Sequence, residues 1–135
     1  MAINTIEQSI ITELQSVLTT LQIEGFPDKP SEYRLLHPVG AVLVAYNGTN
    51  YTKPEGMGQI LQIADMEFSV TLIVRNLRDK NGAYTYIDSI IDTLTGYSPT
   101  GAGKMYPTSV TFLNESNGIW QYGLTFTAPY ENYNP

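Results

Sequence analysis

The chain has 135 residues, a net charge of −6 and only seven Lys and Arg, so it lacks the basic footprint by which a DNA- or RNA-binding groove displaces counterions. It contains no cysteine, which excludes disulfides, thiolate metal sites and Cys nucleophiles. At 42% hydrophobic and 15% charged it can bury one core, and its ten tyrosines supply half-polar rings suited to contact surfaces.

Residues 6–21 are predicted to form a helix. Ile6, Ile10, Leu14, Val17 and Leu21 recur at helical spacing, and Ile11 and Leu18 widen the apolar stripe. Thr5 and Gln8 have the spacing of a capping box, and Gly25 and Pro27 mark the end. Residues 1–8 lack a basic start leading into an apolar core, so no signal peptide is expected. No apolar run approaches the ~20 residues of a membrane span. Pro27, Pro30 and Pro38 predict an irregular connector over residues 27–38, with a short extended piece at 33–36.

Residues 40–46 are nearly all apolar and predict a central strand covered on both faces. Residues 47–58 are rich in Asn, Gly, Thr and Tyr and predict a loop long enough to carry function. The Asn-X-Ser/Thr triplets at Asn47, Asn50 and Asn114 are read as coincidence in the absence of a secretion signal. Residues 59–76 are the longest extended segment, with Met66, Phe68, Val70, Leu72 and Val74 alternating along it. A strand of this length bends, and Ala64-Asp65 is the expected bulge.

After a charged turn at 76–82, a second helix is predicted over 83–95, with Ile87, Ile90, Ile91 and Leu94 on one face and Gly96 ending it. A Pro- and Gly-containing loop, 97–104, leads to a strand at 108–113. Asn117-Gly118 marks a tight reversal into a strand at 120–126. Trp120, Tyr122, Leu124 and Phe126 alternate with small or polar residues, so they should face the helices. Residues 128–135 read as a polar, aromatic tail. The order α-β-β-α-β-β predicts a two-layer α+β fold, with two helices on one face of an antiparallel, four- to five-stranded sheet. Residues 1–135 read as one domain.

No chemical motif stands out. Gly101-Ala102-Gly103-Lys104 suggests a phosphate loop, but Ser98 and Met105 occupy positions where that motif needs Gly and Ser/Thr. The segment also follows a helix rather than a strand. His37 is the only histidine and has no triad partners in its vicinity, so it reads as a partly exposed loop residue. Asp65 and Glu67 share a strand face, and Asp88 and Asp92 share a helix face. Paired carboxylates suit acid–base work or a hard cation, but both pairs read as solvated surface. The strand pair has a second reading, in which it meets Arg75 or Arg78 across a subunit contact. No catalytic, cofactor or metal residue is assigned.

The N-terminal amphipathic helix, the strand at 40–46, the long strand ending Leu72-Ile73-Val74-Arg75-Asn76, the helix and loop through Gly96-Tyr97, and the hairpin with Gly118-Ile119-Trp120-Gln121-Tyr122 together resemble a phage family. The chain is similar, over about residues 6–126, to the Mu-like minor tail proteins grouped with the tail terminators of long-tailed phages. That resemblance implies a virion structural protein with no enzyme activity and no cofactor. It implies a ring, hexameric in the family, on the head-proximal end of the tail tube. The ring stops tube growth, joins tail to neck, and in contractile tails touches the last sheath ring. It implies assembly in the host cytoplasm, a virion location, and DNA passing through the lumen without specific binding.

Open sheet edges need cover, and ring contacts supply it. The expected contact elements are the loop 47–58, the turn 75–80 and the tail 130–135. The residues singled out are Tyr46, Asn47, Tyr51, Lys53, Arg75, Arg78, Tyr130 and Tyr133. Two rival readings remain: a neck, head–tail joining or tube-adjacent baseplate protein, and a small-molecule-binding α+β module or enzyme. The last needs a concave pocket with convergent polar groups.

Overall fold

The computed structural model describes residues 2–28, 33–35, 37–54 and 58–134. Helix α1 spans Ile3–Val17 and buries Ile6, Ile10, Ile11 and Leu14, the stripe that the spacing predicts. Burying one such side chain contributes about 2 kcal/mol. The helix begins earlier and ends earlier than its sequence suggests. Ala2 takes the N-cap position without a side-chain hydrogen bond, so Thr5 and Gln8 form no capping box. Gln8 instead donates its Nε2 to Thr12 Oγ1 at 3.3 Å along the helix. Leu18 and Leu21, expected on the helix, are buried beyond its end.

Gly25 does not stop a helix but closes a short strand, β1, Gln22–Gly25. It pairs in parallel with β2, Gly40–Tyr51. The sheet is therefore mixed rather than wholly antiparallel. A parallel pair needs a crossover of roughly a dozen residues, and the Pro-containing connector provides it. No strand forms at residues 33–35, and Leu36, the last of the expected extended piece, lies outside the described residues.

Strand β2 runs five residues further than the apolar run predicts, so 47–51 belong to the sheet and not to a loop. It pairs antiparallel with β3, Ile60–Val74. The bulge sits on β2 at Asn47, the residue between the pairs Tyr46↔Phe68 and Gly48↔Glu67, and not at Ala64-Asp65. Helix α2, Ala83–Leu94, buries Ala83, Tyr86, Ile90 and Leu94. Strand β4, Tyr106–Ser116, and β5, Ile119–Asn134, form the closing hairpin. Its two-residue turn has positive φ at Asn117 (53°) and Gly118 (80°), the conformation Asn-Gly favours. The expected polar tail is in fact the second half of β5, paired with β3 out to Ile60↔Asn134.

The strand order is β1-β2-β3-β5-β4. Both helices pack on one face, the front, where Val42, Val44, Met66, Phe68, Val70, Leu72, Val74, Leu124 and Phe126 join the helical residues in one core. Trp120 and Tyr122 pack against its rim, on the side the alternation predicts. Ala41, Leu43 and Ile73 are also buried but lie outside that core, in the alternate register. They occupy the back face near β1, where the connector returns. Burial, and after it the Glu24 carboxylate, push the Tyr33 hydroxyl above its usual pKa. Gly40 is the point of closest approach: a Cβ there would lie 2.5 Å from the Ile73 carbonyl oxygen.

Candidate functional site

Two of the concavities among the described residues are shallow grooves. One, of about 480 Å³, lies between the loop before β4 and the second half of β5, lined by Gly101, Gly103, Pro129 and Tyr130 among others. Gly103 N–H donates to the Pro129 carbonyl at 2.8 Å, which fixes this loop as a border of the sheet. The loop follows α2 and makes sheet contacts, so Gly101–Gly103 has no phosphate-loop geometry. The other groove, of about 570 Å³, runs along α1 and is lined by hydroxyls and amides, including Thr5, Ser9, Thr12 and Tyr97. Among the described residues no three His, Asp or Glu groups approach one another closely enough to hold a metal.

His37 has a local structural task. Its Nδ1 accepts the Val39 and Gly40 N–H groups at 3.1 and 3.3 Å, turning the chain into β2. Asp88 and Asp92 are exposed on α2. Asp65 and Glu67 share the back face of β3, where Asn47 Nδ2 donates to Glu67 Oε1 at 3.5 Å.

The residues singled out from sequence fall into three places. Tyr46 and Tyr130 are only partly exposed and pack against the core. The Tyr46 ring meets Phe68 edge-on at 5.6 Å, and its hydroxyl bonds Thr49 Oγ1. Tyr51, Lys53 and Tyr133 are exposed at one end of the sheet, beside the exposed Ile60 and Ile63. Asn47 is exposed midway along β2. Arg75 and Arg78 lie at the opposite end of the sheet. The Arg75 guanidinium donates to the carbonyls of His37 and Leu35, each at 3.2 Å. Arg78 sits 5.8 Å from the centre of the Tyr84 ring.

A further set of exposed apolar side chains lies on the border strand β4. Tyr106, Val110, Phe112 and Leu113 on β4 are all between 43% and 52% exposed. Phe112 meets Trp120 at a tilt, with ring centres 6.1 Å apart, and Tyr122 edge-on at 5.6 Å, forming a small aromatic cluster. Burial raises the Tyr122 hydroxyl pKa, with Tyr84 adding to the rise and Arg78 opposing it. The outer side of β4 has no strand partner among the described residues. The signal in the sequence is the absence of any charge from Tyr106 to Asn114, in a strand that ends the sheet.

A family described as Gp37 protein matches residues 10–132. The chain belongs to the Gp37 protein family. No curated protein matches this Gp37-family chain. Among solved structures it is similar to a chain of the "Virion of native gene transfer agent (GTA) particle", with a TM-score of 0.60 at 12% identity. The match covers 97% of this chain and 98% of that one, so the two share the whole fold.

Proposed function

We propose that this Gp37-family chain is a structural subunit of a phage-like virion, and that within the particle it is the tail terminator. A single domain, residues 1–135, closes the head-proximal end of the tail tube as a ring, stops tube growth and joins the tail to the neck. One observation carries this reading: the fold matches a chain of a gene transfer agent virion over nearly the full length of both. Three features support it. The sheet has two open borders, which ring contacts cover. Exposed apolar side chains, among them Tyr51, Val110, Phe112 and Tyr133, lie along those borders and at one sheet end, where they suit protein contacts. The net charge of −6 suits a ring that lets DNA pass without holding it.

In this reading the two ends of the sheet meet different partners. Tyr51, Lys53 and Tyr133 face one neighbour along the tail axis, and Arg75 and Arg78 face the other. Tail tube protein and a neck protein are those neighbours, with the last sheath ring beside them in a contractile tail. The chain acts by assembly, without bond-making chemistry.

The test is to mix the purified protein with tail tubes of the phage that encodes it and image the tubes by negative-stain electron microscopy. A disc at one end of each tube, with shorter and more uniform tubes when it is present during polymerisation, is the expected result. Bare tube ends would overturn the terminator reading. Density confined to the portal of filled heads would move the protein to the neck.

A further inference from the structure

The backbone ladder fixes which amides leave the sheet. Thr52 N–H bonds the Ile63 carbonyl directly opposite it, so alternate residues of this part of β2 turn toward β3 and the others away. Counting back from Thr52, Asn50 faces β3 while Thr49 and Tyr51 face outward. On the other side of the bulge, Val44 faces outward and accepts Phe26 N–H at 2.9 Å, the last bond on that border among the described residues. The same count on β5, anchored by the Gly103-to-Pro129 bond, turns Gly123 and Thr125 toward β4. Val110 and Phe112, opposite Leu124 and Tyr122, therefore point their amides away from the sheet.

Each border thus offers two outward amides at a spacing of two residues: Thr49 and Tyr51 on β2, Val110 and Phe112 on β4. Neither stretch contains a charge or a proline, the usual guards of an open edge. Val110, Phe112 and Tyr51 add exposed apolar side chains to the two borders. The borders also run in opposite directions. β2 is antiparallel to β3, β3 to β5 and β5 to β4, so β2 and β4 point opposite ways. Two copies standing side by side in the same orientation then bring β4 of one against β2 of the next as an antiparallel pair, the stronger ladder. A two-fold pairing of β4 with β4 would leave every β2 border open.

We infer that the partner of the β4 border is the free outer half of β2 in a second copy of this chain, so that neighbouring subunits join head-to-tail into one continuous sheet. The contact is heterologous, and it closes into a ring when the rotation between copies allows. The bulges at Asn47 on β2 and after Pro107 and Phe112 on β4 break the regular ladder and restrict the pair to a single register. The inference rests on the assembly reading given above and names the surfaces that carry it.

Two blocked variants test it. Val110→Pro removes an outward amide from β4, and Thr49→Pro removes one from β2, each without a donor lost from the internal ladder. Val110→Lys and Thr49→Lys serve as second versions if a proline variant fails to fold, which circular dichroism reports. Oligomers are read by mass photometry and sedimentation velocity. Wild type is expected to form rings, and each variant alone to lose them with association weakened about tenfold or more. Mixed one to one, the two variants should form a two-copy species and nothing larger, because each mixture retains one intact junction.

Rings that persist in both variants would overturn the inference while leaving the virion reading intact. A Thr49→Pro protein that still dimerises alone would overturn it in favour of a β4–β4 pair. A wild type that stays monomeric both alone and with tubes would overturn both. A wild-type ring that obeys the mixing result but ignores tube ends would uphold the inference and remove the terminator reading.

Discussion

The hydroxyls of Ser9 on α1 and Tyr97 after α2 meet at 2.7 Å, although 88 residues separate them in the chain. Tyr97 Oη also lies 3.3 Å from the Ser9 carbonyl, and Thr100 N–H donates to Ser9 Oγ at 3.1 Å. One serine thereby ties the loop that leads into β4 to the first helix. Replacing Tyr97→Phe keeps the ring and removes the hydroxyl, with an expected cost of about 1 kcal/mol. That is a fall of about 3–4 °C in Tm for a domain of this size. Thermal unfolding of Tyr97→Phe, Ser9→Ala and the double variant checks it, and the double variant should cost less than the sum of the two.

Phe68 and Phe126 sit opposite each other in the β3–β5 register and are fully buried beneath the helices. Phe126→Ala should destabilise the fold by about 3–5 kcal/mol, because it removes apolar contact and leaves a cavity. Phe112, on the same face of the neighbouring strand but 52% exposed, is the control. Phe112→Ala should cost no more than about 1.5 kcal/mol, the share owed to its contacts with Trp120 and Tyr122. Urea unfolding at constant m-value separates the two.

Arg75 fastens the connector. Its Nε and Nη2 reach the His37 and Leu35 carbonyls at 3.2 Å each, a fork that a lysine does not reproduce. These bonds are exposed, so Arg75→Lys should lower global stability by less than about 1 kcal/mol. The local effect is larger. Trypsin should cleave after the exposed Arg34 faster in the variant than in wild type, with the rest of the digest unchanged.

Glu7 on α1 lies against Gly25 of β1, where a Cβ would come within 2.8 Å of its Oε1. Burial raises its pKa above the ordinary 4.5. A raised carboxyl pKa means that the folded state disfavours the charged form. The contribution of Glu7 to stability is therefore fully present below about pH 4.5 and is lost as the pH rises through the folded-state pKa. Glu7→Gln should accordingly be slightly more stable than wild type at pH 7, with the difference vanishing below pH 4.5. The carboxyl is largely solvated, so the gain is small. Denaturant curves at the two pH values measure it.

Where one face of an element is dry, the sequence shows it. The stripe of α1, the alternation of β3 and the even positions of β5 all appear in the core because burial imposes a period of 3.6 or 2 on apolar residues. The α+β class and the placement of both helices on one face follow from those periods. Three features escaped for specific reasons. β1 is four residues long, and Leu21 continues the helical count of α1, so helix period and strand overlap there. The outer half of β2, Asn47-Gly48-Thr49-Asn50-Tyr51, is polar because it is an edge, and polarity with Asn and Gly reads as loop. The second half of β5 contains Pro129, yet this residue pairs with Asp65 and accepts the Gly103 bond through its carbonyl.

The residues singled out as contacts divide for a related reason. Tyrosine content does not say which rings are spent internally. Tyr46 and Tyr130 fall on the front face by register and pack inward, while Tyr51 stands at the last rung of β2 and Tyr133 falls on the back face, and both remain outside. The β4 border was hidden in a pattern that looks ordinary, since Val110 and Phe112 have the spacing of buried residues. The strand order shows that no strand among the described residues pairs with their outer side.

The extra residue at Asn47 sets the phase of β2. It lets Tyr46 and Thr49, an odd number of positions apart, stand on the same side of the sheet, close enough for their hydroxyls to bond. Every side chain beyond it is offset from the count that governs the helix-covered half. The strand therefore consists of two halves of opposite parity, and deleting that one position would merge them into a single unbroken alternation, with each side chain kept on its present face and the local kink of the border lost.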